Sequence, residues 1–297
     1  MPAAPSSDQP VSVVTGANSG IGRATAIHLA SVGHRVIGTV RSLDKATKLN
    51  TMAADAGVVV DLVVADIADD DSVASGFEEI FRRTGRVDHL VNNAGVGGNA
   101  VAEECPSELY LDVMNVNLCG ATRCIQAVLP QMRERGSGTI VNITSVAGRI
   151  AALAQSPYVA SKWALEGLSE GLAQEVAPFG IRVAIVEPGV TKSAIFAKNI
   201  DAPNSTDAYD AHYRRMFQFY AAGMANATDP FEVGRVIEHA ITTDAPQLRY
   251  PVSWGGAEMS ALHDRISDTD WLELGMLDDD ADYIERFGEI FGIDINV

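Results

Sequence analysis

A chain of 297 residues with 47% hydrophobic and 21% charged residues can bury a sizeable core, and its composition excludes a disordered or fibrous protein. A formal net charge of −17 and a pI near 4.6 repel nucleic acid and anionic membranes over most of the surface, and no apolar run reaches the roughly 18 residues of a membrane span. Cys105, Cys119 and Cys124 lack CxxC spacing and cannot all pair, and the histidines are scattered; the expectation is a soluble, cytoplasmic, metal-free protein with free thiols.

Residues 1–10 read as a loose arm, without the basic segment of a signal peptide. From Val11 to Glu187 short β-rich runs alternate with helical patterns. The predicted strands are 11–15, 35–40, 58–65, 89–92, 138–143 and 181–186, with a seventh at 247–252. Helices are predicted to begin near Ser19, Leu43, Asp70, Ser107 and Pro157. Such alternation specifies the α/β class: a single Rossmann-like, doubly wound domain over 11–255, with a mainly seven-stranded parallel sheet and helices on both faces. Within it, 190–227 forms an insertion carrying Ile195, Phe196, Tyr209, Tyr213, Met216, Phe217, Phe219 and Tyr220. These aromatics suit a cover over a substrate pocket, and packing against a partner uses them equally well. Residues 256–297 read as an acidic helical extension, with Asp278, Asp279, Asp280 and Asp282 forming a solvated turn or helix start.

The first strand runs into Thr15-Gly16-Ala17-Asn18-Ser19-Gly20-Ile21-Gly22 and then a helix. Glycine at 16, 20 and 22 permits a tight turn and close backbone approach, and the helix N-terminus favours a pyrophosphate. The spacing, G-x-x-x-G-x-G, differs from the G-x-G-x-x-G fingerprint, and an ordinary strand-to-helix turn is the plain alternative. The second strand ends at Arg41 and Ser42, where an NAD-binding fold places an acid. A cation there suits a 2′-phosphate, so NADP(H) is expected over NAD(H).

Ser145, Tyr158 and Lys162 supply a hydroxyl, a phenol and an ammonium. On a helix beginning near Pro157 the lysine lies one turn beyond the tyrosine. An ammonium beside a phenol favours the phenolate and makes the tyrosine a usable acid or base. The pair alone is equally a packed ring beside a solvated charge.

Taken in order, the glycine turn, Asn92-Asn93-Ala94-Gly95, Asn117, Ser145, Tyr158-x-x-x-Lys162 and Pro188-Gly189 resemble the short-chain dehydrogenase/reductase family over about 11–196. The phrases around Asp88, Gly138 and Trp163 are similar to its 17-beta-hydroxysteroid and retinol dehydrogenase branch. The resemblance implies a hydride transfer between a nicotinamide and a secondary alcohol or ketone; the aromatic and aliphatic content of 196–224 suggests an apolar, bulky one, and structural packing accounts for it equally well. Tyr158 would be the general acid or base, Ser145 would orient the substrate oxygen, and Lys162 would lower the tyrosine pKa and hold the nicotinamide ribose. Asn117 would kink its helix and anchor a water. Asp66 and Ile67 would lie at the adenine, with Asn93, Ala94 and Gly95 on its ribose side. Pro188, Gly189 and Val190 would pass the nicotinamide, the Val190 amide meeting its carboxamide. Ser193 stands where the family often has threonine, with Thr191 as the nearby competitor. The resemblance also implies a homodimer or homotetramer. A non-catalytic NADP(H)-binding sensor or regulatory subunit is the alternative, and it predicts loss of the tyrosine or lysine; neither is lost.

Overall fold

In β1 (Val11–Thr15) successive side chains leave the strand on opposite sides, so Val14 joins one hydrophobic layer and Val13 the other. That division extends across the sheet of the computed structural model, which describes residues 9–193 and 203–297. Most of the expected N-terminal arm, and Ile195 and Phe196 of the insertion, lie outside these residues. The other strands are β2 (Arg35–Val40), β3 (Val60–Val64), β4 (His89–Asn92), β5 (Gly138–Ile143), β6 (Ile181–Pro188) and β7 (Arg249–Val252). All seven pair in parallel in the order β3-β2-β1-β4-β5-β6-β7. Helices α1 (Gly20–Ser31), α2 (Thr47–Asp55) and α8 (Pro230–Thr242) cover the Val14 face. Helices α3 (Asp70–Thr84), α5 (Ala121–Arg135) and α6 (Ser156–Val176) cover the Val13 face. This is a Rossmann-like, doubly wound sheet.

Local chemistry accounts for the boundaries. Asp69 caps α3, accepting from the Ser72 amide at 2.7 Å, and Gly85 with φ 72° ends it. β3 is shorter than the predicted 58–65. The Val58 amide closes the end of α2 by donating to the Ala53 carbonyl at 2.9 Å, with Gly57 at φ +69°, so 58 and 59 belong to the helix exit. α4 (Ser107–Met114) continues through a π-helical turn, Asn115–Gly120, into α5.

The acidic C-terminal region forms three helices, α9 (Gly256–Leu262), α10 (Asp268–Met276) and α11 (Asp280–Phe291). It is not a detached extension. Met259, Leu274, Tyr283, Phe287, Phe291, Ile293 and Ile295 pack with Val146, Ile150 and Ala222 of the main domain. The aspartates expected at a solvated turn or helix start stand at the start of α11: Asp279 caps it, and Asp280 accepts from the Nε atoms of Arg214 and Arg215, each at 2.9 Å.

At the N-terminal edge of the sheet, away from the strand ends that bind ligands in such folds, the His34 and His89 rings lie 5.4 Å apart, and Ser12 Oγ lies 2.7 Å from His34 Nδ1. Burial, helped by the neighbouring His34, pushes His89 down to about 4. An unfolded histidine titrates near 6.5, so protons favour the unfolded chain below that pH. The His89 contribution is complete above about 6.5 and is lost as pH falls towards 4. His89→Phe is expected to flatten this acid limb by roughly 2 kcal/mol, measured by urea unfolding at neutral and acid pH. Parallel losses in both proteins would contradict the assignment.

Candidate active site

The strand order reverses between β1 and β4, opening a crevice at their carboxyl ends, where a doubly wound sheet binds ligands. The glycine turn fills one side of it. Gly16 and Gly20 have φ of +67° and +52°, and a Cβ on Gly16 would stand 2.9 Å from Ala94 Cα. Gly22 is required for space: its Cβ would meet Asn93 Nδ2 at 2.3 Å and the Gly16 carbonyl at 2.6 Å. Thr15 locks this turn to β4. Its Oγ1 accepts from the Asn93 and Ala94 amides, each at 3.0 Å, and its carbonyl accepts from Asn93 Nδ2 at 2.9 Å. No acidic side chain occupies the first turn of α1, so its positive end remains available to an anion.

A cavity of about 550 Å³ runs from this turn to Tyr158. Its wall brings together Asn18, Ser19 and Ile21 with Arg41, Ser42, Asp66, Ile67, Gly95, Ser145, Lys162, Pro188, Gly189, Val190 and Ser193. Gly22 and Asn117 stand behind the wall. A groove of about 600 Å³ beside α11 is wider open and is lined by Glu285 and Asp294 without a cation, so the deeper cavity is the one suited to a dinucleotide phosphate.

Ser145, Tyr158 and Lys162 meet at the cavity floor. Ser145 opens a 3-10 turn, its Oγ accepting from the Ala147 amide at 3.1 Å and donating to the Pro188 carbonyl at 3.4 Å. Its hydroxyl also lies beside the Tyr158 phenol and favours the ionised form, but burial dominates and pushes Tyr158 above its ordinary value. What exposure the ring retains is onto the open cavity, which it lines. Lys162 Nζ lies 5.6 Å from the ring centroid and donates to the Ile143 carbonyl at 2.9 Å. The expected pull of Tyr158 towards neutrality is therefore absent here: desolvation outweighs a lysine whose near hydrogen bond goes to the backbone. Burial also draws Lys162 down to about 8, against the pull of Glu166.

Asn117, 2% exposed, uses its whole carboxamide on the chain. Oδ1 accepts from the Val96 amide at 2.8 Å, and Nδ2 donates to the Val96 carbonyl and to Ser161 Oγ, each at 2.9 Å. The expected helix kink is the π-helical turn that contains it. The expected role of the Val190 amide is not met, because it donates to the Trp254 carbonyl at 2.9 Å. Thr191 Oγ1 pairs with Ser253 Oγ at 2.8 Å. Ser193 sits over the glycine turn, within 3.1 Å of a Cβ placed on Gly20. Asp66 lines the cavity while Oδ1 accepts from the Ala68 amide at 3.1 Å.

Sequence reasoning missed several lining groups. Lys45 joins Arg41 and Ser42 at the β2 end of the cavity, and a second cation four residues after Arg41 was the available signal. Gln155 and Ala152 precede Tyr158 and line its side of the cavity. Phe219 and Tyr220 of α7 (Asp210–Ala225) do face the cavity, whereas Tyr213 and Met216 pack with Val101 and Ala154. Met259 of α9 completes this wall, and nothing in its local sequence marks it.

This fold and site define a dinucleotide-binding oxidoreductase architecture. The family model for short chain dehydrogenase matches residues 10–204, and the chain belongs to that family. It is 35% identical over 253 residues to 17-beta-hydroxysteroid dehydrogenase type 1 of Homo sapiens, covering 81% of this chain and 76% of that protein. A short-chain dehydrogenase structure from Streptomyces avermitilis matches with 35% identity and a TM-score of 0.78, covering 91% of this chain and 96% of that one. An actinorhodin polyketide ketoreductase variant solved with NADPH matches at 31% identity and TM-score 0.71, covering 83% of this chain and 96% of that one. A Burkholderia phymatum relative in complex with NAD matches at 25% identity and TM-score 0.72, covering 82% and 89% of the two chains. The protein is thus an oxidoreductase of the short-chain dehydrogenase/reductase family, whose fold binds a nicotinamide cofactor. No helix of the described residues is long and apolar enough to cross a membrane.

Proposed function

We propose that this protein is an NADP(H)-preferring oxidoreductase acting on an apolar, bulky secondary alcohol or ketone of steroid-like, retinoid-like or aryl type. The observation that carries this reading is the convergence of the Ser145 hydroxyl, the Tyr158 phenol and the Lys162 ammonium at the floor of a cavity that begins at a glycine turn. When bound, NADP(H) supplies the hydride acceptor or donor. The residues around the cavity supply position and proton handling. Because burial keeps Tyr158 above its ordinary value, the phenol carries its proton at neutral pH and can pass it to a carbonyl oxygen. Ser145 donates to that same oxygen and stabilises the charge that develops there. Lys162 holds a positive charge behind the phenol and faces the ribose side of the cavity beside Gly95. For oxidation of an alcohol the same groups act in reverse. The apolar Val146, Phe219 and Met259 support a bulky apolar substrate, as does similarity to a 17-beta-hydroxysteroid dehydrogenase.

The test is NADPH consumption with a panel of ketones and NADP reduction with the corresponding alcohols. Turnover supports the reading. Tight cofactor binding without turnover across the panel moves it to the sensor alternative.

Arg41 and Lys45 are exposed side chains at the β2 end of the cavity, placed for a 2′-phosphate. Arg41→Asp combined with Lys45→Ala is expected to weaken NADPH by roughly tenfold or more, about 1.4 kcal/mol, while NADH binding holds or improves. Fluorescence titration of both cofactors reads this, and an unchanged NADPH-to-NADH ratio removes these cations from the argument. The proposal also makes the protein a cytoplasmic homodimer or homotetramer, which light scattering in solution tests.

A further inference from the structure

The face of α6 that carries Tyr158 and Lys162 continues to Glu166, one helical turn beyond the lysine. Glu166 is 5% exposed, an unusual place for a carboxylate unless something holds it. Its Oε2 accepts from Arg249 Nε at 3.0 Å, and Thr144, just past the end of β5, lies beside it. Glu187 of β6, fully enclosed, faces the same guanidinium, with Oε1 at 3.1 Å from Arg249 Nε. Glu170, one turn further along α6, pairs with Arg249 from the solvent side. Arg149 stands 3.8 Å from Glu187 and 3.9 Å from Asp264, and Ser260 Oγ donates to Glu187 Oε2 at 2.5 Å. Arg249 bridges Glu166 to the enclosed Glu187 and to the exposed Glu170, Arg149 faces Glu187 as well, and Glu166 is the carboxylate of this cluster that lies one turn from Lys162. Glu166 Oε1 takes no hydrogen bond from the described residues, so Arg249 engages the carboxylate through Oε2. The Ser145 turn rests on this part of α6: a Cβ on Gly148 would lie 3.1 Å from both Glu166 Cγ and the Lys162 carbonyl.

We infer that Glu166 is a positioning residue for the proton-handling site: clamped by Arg249 one turn beyond Lys162, its carboxylate keeps charged the buried ammonium that the Ile143 carbonyl orients. The near protein partner of Lys162 Nζ is the neutral Ile143 carbonyl, which orients the ammonium but does not balance its charge. Burial works against that charge, and Glu166 is the group that opposes burial. The role rests on the proposed chemistry of Tyr158 and Lys162, but its effect at the lysine is measurable without turnover.

The experiment follows the lysine ε-carbons by NMR through a pH titration. The chain's lysines are Lys45, Lys48, Lys162, Lys192 and Lys198, few enough for Lys162→Met to assign the buried signal. Wild-type Lys162 is expected to titrate near 8, and Glu166→Gln is expected to lower that midpoint by about one unit, a tenfold loss of proton affinity. Glu166→Asp, which keeps the charge but withdraws it by a methylene, should fall between. Glu170→Gln removes an exposed partner of the same Arg249 and should leave Lys162 in place. In Glu166→Gln, Arg249 keeps Glu170 and Glu187, and thermal melting checks that the variant is folded; if it is not, the Asp variant decides by the same shift. An unmoved Lys162 midpoint in Glu166→Gln, or an equal shift in Glu170→Gln, overturns the role. With a turned-over ketone, the alkaline limb of NADPH-dependent reduction should move with the lysine. Absence of turnover in the wild type counts against the proposed activity alone, since the NMR shift still decides Glu166.

Discussion

Tyr158→Phe is expected to lose about 10²- to 10⁴-fold in turnover while cofactor binding is retained. The phenol lines the cavity floor and carries its proton at neutral pH, because burial holds its pKa above the ordinary value. Ser145 cannot replace it, since a hydroxyl of ordinary pKa serves as a hydrogen-bond donor and not as an acid. Removing one oxygen leaves the ring, the cavity and the glycine turn unchanged, so the loss should fall on kcat. Steady-state rates with a ketone from the panel, beside NADPH fluorescence titration, separate the two effects. Near-wild-type turnover would sink the mechanism, and equal loss of NADPH binding would show that the phenol acts in cofactor binding instead.

Gly189→Ala should have the largest effect on stability, about 3 kcal/mol or more. Its Cβ would lie 2.0 Å from the Trp254 carbonyl and 2.8 Å from the Gly256 amide. Both are backbone atoms, so no rotamer change relieves the clash. The end of β6 would have to separate from the 254–256 segment, breaking the bonds from the Gly189 amide to the Val252 carbonyl and from the Val190 amide to the Trp254 carbonyl. Gly167→Ala supplies the contrast: it lies within α6 with nothing near its Cβ position, and it should stabilise by roughly 0.5–1 kcal/mol through helix propensity. Chemical denaturation of the two variants reads the difference. A tolerated Gly189→Ala would mean that the β6 end can move away from Trp254 at little cost.

These two glycines differ in what the sequence could say about them. Pro188-Gly189 was legible as a motif, yet the need for glycine comes from Trp254, more than sixty residues further along the chain. The same limit explains the Val190 amide: the local sequence places it beside the cavity, and the tertiary partner takes its hydrogen. Asn117 was correctly placed near the site, but whether its carboxamide faces the cavity or the chain depended on Val96 and Ser161. β3 begins two residues later than predicted because the exit from α2 uses the Val58 amide for its own hydrogen bond. Lys45 was readable and missed; Met259 was not readable.

Local rules were enough for the rest. The alternation of strands and helices specified the doubly wound sheet, because parallel strands require crossovers and their handedness is fixed. The positions of Gly16, Gly20 and Gly22 marked the tight turn between β1 and α1, and Tyr158 and Lys162 shared a face because a helix repeats every 3.6 residues. Those relations act within a few residues and so leave a pattern in the chain. The tertiary structure alone decided that burial, rather than Lys162, governs the Tyr158 proton, that Met259 of α9 lines the cavity, and that Glu166, Glu187 and Arg249 meet behind it. Desolvation and long-range charge contacts depend on which segments are folded together, and no spacing along the sequence records them.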